Sequence, residues 1–177
     1  MQVHIRDIIP DDIKTIKPWL IDKANAKWLD PFFDNEALQD VQLAFFLLRK
    51  DKKIFLVLYD DIPVGIMGLN YINKTNQSAE LWNILGNMKY RRKGITKLAL
   101  YLTLQKAFYE LKLHSITAWV VAGNIMKGCF GKLNFRTIGI QRECHLIDGA
   151  LKDRVLFDIV INDFKKISTD DIFELRS

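Results

Sequence analysis

One feature constrains this chain more than any other: an apolar segment runs into a basic, glycine-bearing turn, and a long amphipathic helix follows. The segment is Ala79 to Leu85, ending at Gly86, and the turn is Arg91-Arg92-Lys93-Gly94-Ile95-Thr96. The helix reads from Ile95 to Lys112, with Leu100, Leu104, Ala107, Phe108 and Leu111 on one face. A helix start carries unpaired N–H groups and the positive end of the helix dipole. With a glycine for close approach and cations beside it, such a start is an anion site, above all for phosphate. The feature predicts a strand–turn–helix unit of an α/β fold and a phosphorylated ligand. Basic runs are commonly just solvated faces, so the reading needs support from the rest of the chain.

That support comes from the order of elements. Val3 to Ile8 reads as a strand. Pro10-Asp11-Asp12 then opens a helix with Ile13, Ile16, Trp19 and Leu20 inward, and Pro18 predicts a kink or an early end. Ala24 to Leu29 reads as a short helix broken by Asp30-Pro31, and Leu38 to Leu48 as a further helix. Ile54 to Tyr59, Val64 to Ile72 and Ala79 to Leu85 form three strands of an antiparallel meander. The turns between them are Asp60-Asp61-Ile62-Pro63 and Asn73 to Gln77, and Gly65 and Gly68 are placed for close backbone approach. After the long helix come a buried strand (Ile116 to Val121), a short helix (Asn124 to Lys132) and two strands flanking Asp148-Gly149. Asp-Gly between alternating apolar runs is a strong hairpin signal. The sum is a mixed α/β sandwich around one mostly antiparallel sheet flanked by helices.

Bulk properties narrow the class. A chain of 177 residues, 49% hydrophobic and 27% charged, is one globular domain, read here as 1–165 with a tail over 166–177. No apolar run is long enough to span a bilayer, and the start, Met-Gln-Val-His-Ile-Arg-Asp, has no apolar signal core. The two cysteines, Cys129 and Cys144, make no disulfide framework, so the expected location is a reducing cytoplasm, with no membrane partner. The formal charge of +5 suits an anionic ligand. No aromatic platform is interleaved with arginines, so no nucleic-acid partner is expected.

With its turn, this order resembles the GNAT superfamily of acyl-coenzyme-A-dependent N-acyltransferases, over nearly the whole chain. The family's Arg/Gln-x-x-Gly-x-Gly/Ala signature is similar to Arg91-Arg92-Lys93-Gly94-Ile95-Thr96, with Thr96 where Gly or Ala is usual. A second family pattern, an Asn and then Tyr-x-Lys-x-Gly-Phe, resembles Gly123-Asn124 followed by Phe130-Gly131-Lys132-Leu133-Asn134-Phe135. Phe130 stands for the Tyr and Asn134 for the Gly. The tail, with Asp148-Gly149, Asp153 and Phe157-Asp158-Ile159, looks like the subgroup of ribosomal-protein N-terminal and polyamine acetyltransferases.

The resemblance implies acetyl-coenzyme A as co-substrate, no metal, and a monomer or homodimer. It implies that the pantetheine arm lies between Ala79–Leu85 and Ile116–Val121. The pyrophosphate would lie on Arg91, Arg92, Lys93, Gly94, Ile95 and Thr96, with Asn124 nearby and main-chain groups of Ile84, Leu85 and Gly86 nearest the thioester. An N–H there would hold the oxyanion of the tetrahedral intermediate. The acceptor is a primary amine, of a small molecule or a protein N-terminus, and it must lose a proton before it attacks. Glu80, on the strand leading to the acetyl site, is the best-placed base, with Asp158 and Glu143 as alternatives. Phe130 has no proton for the departing sulfur, so the thiolate leaves through water or another group serves. Cys129 reads as a small buried residue and His145 as a structural one. Trp28, Phe32 and Phe33 are core or acceptor-wall residues, and Asp30 and Asp34 beside them would attract a cation. Two other classes stay open: a GNAT-fold protein that binds acyl-coenzyme A or a sugar nucleotide without turnover, suggested by Phe130, and a nucleic-acid-binding module, suggested only by the positive charge.

Overall fold

The computed structural model describes residues 2–165 other than 36 and 125; the expected tail lies outside the described residues. Strand β2 (Lys53–Tyr59) shows how the layers arise, because it is buried almost end to end. Its Phe55, Val57 and Tyr59 join one core and its Ile54, Leu56 and Leu58 the other. A strand covered on both faces reads as a continuous apolar run, so the period of two is hidden in its sequence.

The first core is closed by α4 (Ile95–Gln105), which contributes Leu98, Leu100, Tyr101 and Leu104. The second is closed by α1 (Ile13–Ile21) and α3 (Asp40–Leu47), through Ile13, Ile16, Leu20, Leu43 and Leu47. Between them lies α2 (Lys23–Ala26), capped by the Asp22 carboxylate on the Ala24 N–H. The start of α1 is fixed by Asp12. Its carboxylate takes two hydrogen bonds from the Arg6 guanidinium and one from the Ile9 N–H.

Strands β2, β3 (Ile62–Asn73) and β4 (Ser78–Leu85) form the expected antiparallel meander, and β1 (Val3–Asp7) extends it by pairing antiparallel with β2. Next to β4 runs β5 (Ser115–Val121), parallel to it. Beyond β5 come β7 (Ala150–Val160) and, at the edge, β6 (Arg136–Ile147), giving the order β1-β2-β3-β4-β5-β7-β6. The β6–β7 hairpin turns at Asp148 and Gly149, both with positive φ, as the Asp-Gly signal predicts. The short α5 (Lys127–Lys132) sits between β5 and β6.

Several local expectations change. The helix α1 runs through Pro18 to Ile21 and does not end early, because three buried side chains hold it to the sheet. The β2–β3 turn is tighter than four residues: Asp60 and Asp61 alone make it, both with positive φ, and Pro63 lies inside β3 beside a bulge at Val57/Leu58. The long helix is α-helical to Gln105 and continues as a π turn over Lys106–Glu110. Gly65 faces the β4 backbone at Ile84, but Gly68 makes room for a side chain, the Trp82 indole, where a Cβ would collide.

Candidate active site

Strands β4 and β5 pair only at Ser78–Ser115, Ala79–Ile116 and Glu80–Thr117. Beyond Glu80 they part, and a cleft of about 970 Å³ opens between them. Alternation along β4 sends Glu80, Trp82 and Ile84 to the α1–α3 face and Ala79 and Leu81 to the α4 face. The cleft therefore joins two chemically different regions on either side of the parting strands.

One region is the turn at the start of α4. Arg91, Arg92, Lys93, Gly94, Ile95 and Thr96 all line the cleft. Arg92 and Gly94 adopt left-handed φ values of 61° and 71°. Such alternation curves the backbone so that successive N–H groups face inward. Gly94 is the N-cap of α4, where a side chain would be strained. Lys97, Cys129, Phe130 and Lys132 complete this region, and among the described residues no carboxylate lines it. Lys97 is only 6% exposed, and burial, reinforced by Lys132, pulls its ammonium pKa below the ordinary lysine range. Burial pushes the Cys129 thiol up, away from thiolate chemistry. Phe130, 2% exposed, packs against Phe135 and Phe157 at centroid distances of 4.7 and 5.2 Å.

The other region holds Glu80 among aromatic rings. Trp28, Phe33, Trp82 and Trp119 line it with Asp30, Asn70, Tyr71 and Arg154. Burial raises the Glu80 pKa above the usual carboxylate value, against a hydrogen bond from Trp119 and the charge of Arg154; nearby Asp30 raises it further. A carboxylate so shifted is a better proton acceptor near neutral pH. The Trp82 indole N–H donates to Asn70 Oδ1 at 3.1 Å. The same oxygen accepts from Lys52 Nζ at 3.1 Å, and that ammonium lies 3.6 Å over the Phe46 ring.

Arg154 comes from β7 and lies over Trp119, its Cζ 3.8 Å from the ring centre. Its Nε and Nη2 donate to His145 Nδ1 at 3.1 and 2.8 Å. Arginine has only donors, so Nδ1 accepts and the His145 Nε2–H donates to the Lys27 carbonyl at 2.7 Å. His145 is thus a satisfied structural residue that fixes Arg154.

Ile84, Leu85 and Asn124 line the middle of the cleft. The Asn124 side-chain oxygen is engaged locally by the Met126 N–H at 3.0 Å. Gly86 differs from its sequence reading: it is not among the lining residues, and Trp19 of α1 lies over it where a Cβ would collide. Its glycine character serves helix-to-strand packing. The alternative bases lie elsewhere. Glu143 is exposed on a β6 bulge, and neither it nor Asp158 lines the cleft. Phe32 stacks on Phe46 at 3.9 Å, outside the lining, as is Asp34. Trp119 and Arg154 carried no sequence signal, because only the β4–β5–β7 adjacency brings them to Glu80.

Comparison with known proteins agrees with this architecture. The family model of the acetyltransferase (GNAT) family matches residues 13–135, more than half of the chain. No curated protein sequence matches the chain. Spermidine N-acetyltransferase from Vibrio cholerae, solved in complex with CoA and spermine, shares 20% identity at a TM-score of 0.82. The alignment covers 92% of this chain and 97% of that one. Mycobacterium smegmatis RimJ, in complex with CoA-disulfide, shares 17% identity at a TM-score of 0.81, covering 98% and 90%. A dodecameric structure of the Vibrio cholerae enzyme gives 21% identity and 0.77, covering 90% and 94%. No described helix is long and apolar enough to cross a membrane. By the family match, this chain belongs to the GNAT acetyltransferase family, acyl-coenzyme-A-dependent enzymes whose co-substrate is acetyl-coenzyme A.

Proposed function

We propose that the protein moves the acetyl group of acetyl-coenzyme A to a primary amine by direct attack in the β4–β5 cleft, with Glu80 as the base. The observation that carries this reading is the continuity of one cleft. It runs from the basic, carboxylate-free turn at Gly94 to the half-buried Glu80 among aromatic rings.

The pyrophosphate sits on the Arg91–Thr96 turn and the first N–H groups of α4, with Lys97 and Lys132 as further cations. The pantetheine arm follows the parting strands, where unpaired main-chain groups meet its amides. The acceptor enters as an ammonium drawn by Glu80 and Asp30. Glu80 takes its proton, directly or through one water, and the neutral amine attacks the thioester carbonyl. The C–N bond forms, an N–H at Ile84–Leu85 holds the oxyanion, and the C–S bond breaks. With Phe130 in place of a hydroxyl donor, the thiolate leaves into water, which protonates it, and the attacking nitrogen gives its second proton to the same water. The acceptor is a small molecule or a protein N-terminus.

A second reading, acyl-coenzyme A binding without turnover, is favoured only by Phe130. Thiol release from acetyl-coenzyme A with a panel of amines separates the two. Amine-dependent release that Glu80→Gln suppresses is the expected result; tight cofactor binding with no release from any amine contradicts the enzyme reading.

A further inference from the structure

The acceptor region carries both signs of charge, which is unexpected for a site that only has to hold ammonium groups. Arg154 points its charge into the region that Glu80 and Asp30 make negative. Among the described residues no carboxylate lies within ion-pair distance of Arg154. Its partners are a histidine nitrogen and the face of Trp119. The contacts with His145 use one edge of the guanidinium. The Nη1 donors and one Nη2 donor remain for a ligand.

The anchoring is rigid. His145 is 7% exposed and tied to the Lys27 carbonyl, while the Trp119 ring packs against the guanidinium from one side. Trp119 also acts on Glu80, opposing the effect of its burial, so one indole neighbours both the base and the cation. A planar guanidinium held in this way is pre-organised for bidentate contact with an oxyanion. A second positive charge works in the same sense: Lys52, 8% exposed, acts on both Glu80 and Asp30. A long polycation placed here would meet two like charges, which is a means of rejection.

We propose that the acceptor is a zwitterion: an amine for acetylation and a carboxylate or phosphate received by Arg154, carried on a mainly apolar body that the tryptophans enclose. This rests on the acetyl-transfer reading and narrows it, excluding polyamines and favouring amino-acid-like acceptors.

The test compares matched acceptors in thiol release: L-phenylalanine, L-phenylalaninamide, phenethylamine, O-phosphoethanolamine, ethanolamine and spermidine. We expect kcat/KM for L-phenylalanine to exceed that for phenethylamine, the amide and spermidine by about tenfold or more, the scale of one lost charged contact. Preference for O-phosphoethanolamine over ethanolamine instead assigns the oxyanion as phosphate. In Arg154→Gln the ratio of zwitterion to plain amine collapses towards one, and Arg154→Lys restores part of it. A ratio unchanged in Arg154→Gln, or spermidine as the better acceptor, overturns the proposal. If no amine releases thiol, the acetyl-transfer reading fails. Tryptophan-fluorescence titration of the coenzyme-A-bound protein with L-phenylalanine and phenethylamine then decides the zwitterion inference. Equal affinities for the two contradict it.

Discussion

The two regions of the cleft solve opposite electrostatic problems. Among the described residues, five cations, Arg91, Arg92, Lys93, Lys97 and Lys132, line the cleft around Gly94 with no carboxylate beside them. Around Glu80 two carboxylates face Arg154, with Lys52 behind, and aromatic rings fill the rest. The first region sets the exposed Arg91, Arg92 and Lys93 and a curved backbone around the buried Lys97, and its positive charges await an anion. The second is half-buried and internally bonded, and its task is to shift one proton. An anion can be held by backbone N–H groups and mobile cations, whereas a base must be desolvated to take a proton near neutral pH. Substitutions at the two regions should therefore separate cofactor affinity from chemistry.

The largest effect is expected from Gly94→Glu. A left-handed φ costs a non-glycine residue about 1–3 kcal/mol, and the new carboxylate would face the phosphates. Acetyl-coenzyme A affinity should fall by roughly 10²-fold or more while far-UV circular dichroism stays native. Native affinity in this variant would remove the turn from the site.

Next is Glu80→Gln, which should lower kcat/KM by roughly 10²-fold with cofactor affinity unchanged. The wild-type acidic limb should lie above the ordinary carboxylate range, because burial raises the Glu80 pKa, and the limb should vanish in the variant. The stability sign is the reverse of a paired carboxylate. Folded Glu80 binds its proton more tightly than unfolded Glu80, so the native state holds the extra proton between the two pKa values. Stability falls as pH rises through that window. Glu80→Gln should therefore raise Tm at neutral pH and lose that advantage in acid below the unfolded pKa. A variant less stable at pH 7 would show that Glu80 is a structural pair.

A smaller effect is expected at Lys97. Its pKa is lowered by burial and Lys132, and an incoming phosphate should raise it. Calorimetry of acetyl-coenzyme A binding at alkaline pH, in buffers of different ionisation enthalpy, should show proton uptake that Lys97→Met removes. Arg91 is exposed, so Arg91→Ala should weaken binding more at low salt than at high salt. The smallest change is Phe130→Tyr: cofactor affinity stays the same and turnover rises if the new hydroxyl reaches the sulfur.

Legibility in the sequence divides along the same line. Most of the cation-rich region, Arg91 to Lys97, is contiguous in sequence, so charge, glycine and helix start appear together, and only Lys132 joins from α5. The meander and the Asp148-Gly149 hairpin were legible for the same local reason. The second region was half legible. Glu80 stands on the right strand, and Trp28, Phe33 and Asp30 cluster in one loop. Arg154, Trp119 and His145 reach it through the parallel β4–β5 pairing and the β5-β7-β6 order, long-range choices that no local pattern encodes. Gly86 was misleading because a glycine at a strand end fits a ligand contact and a packed indole equally well. Only the position of Trp19 on α1 decides between them.

The central claim, two independent regions in one cleft, is tested most directly by calorimetric titration of acetyl-coenzyme A into wild type, Gly94→Glu and Glu80→Gln under one set of conditions. The same affinity is expected for wild type and Glu80→Gln, and an affinity lower by roughly 10²-fold or more for Gly94→Glu. Comparable losses in both variants, or native binding by Gly94→Glu, would contradict it.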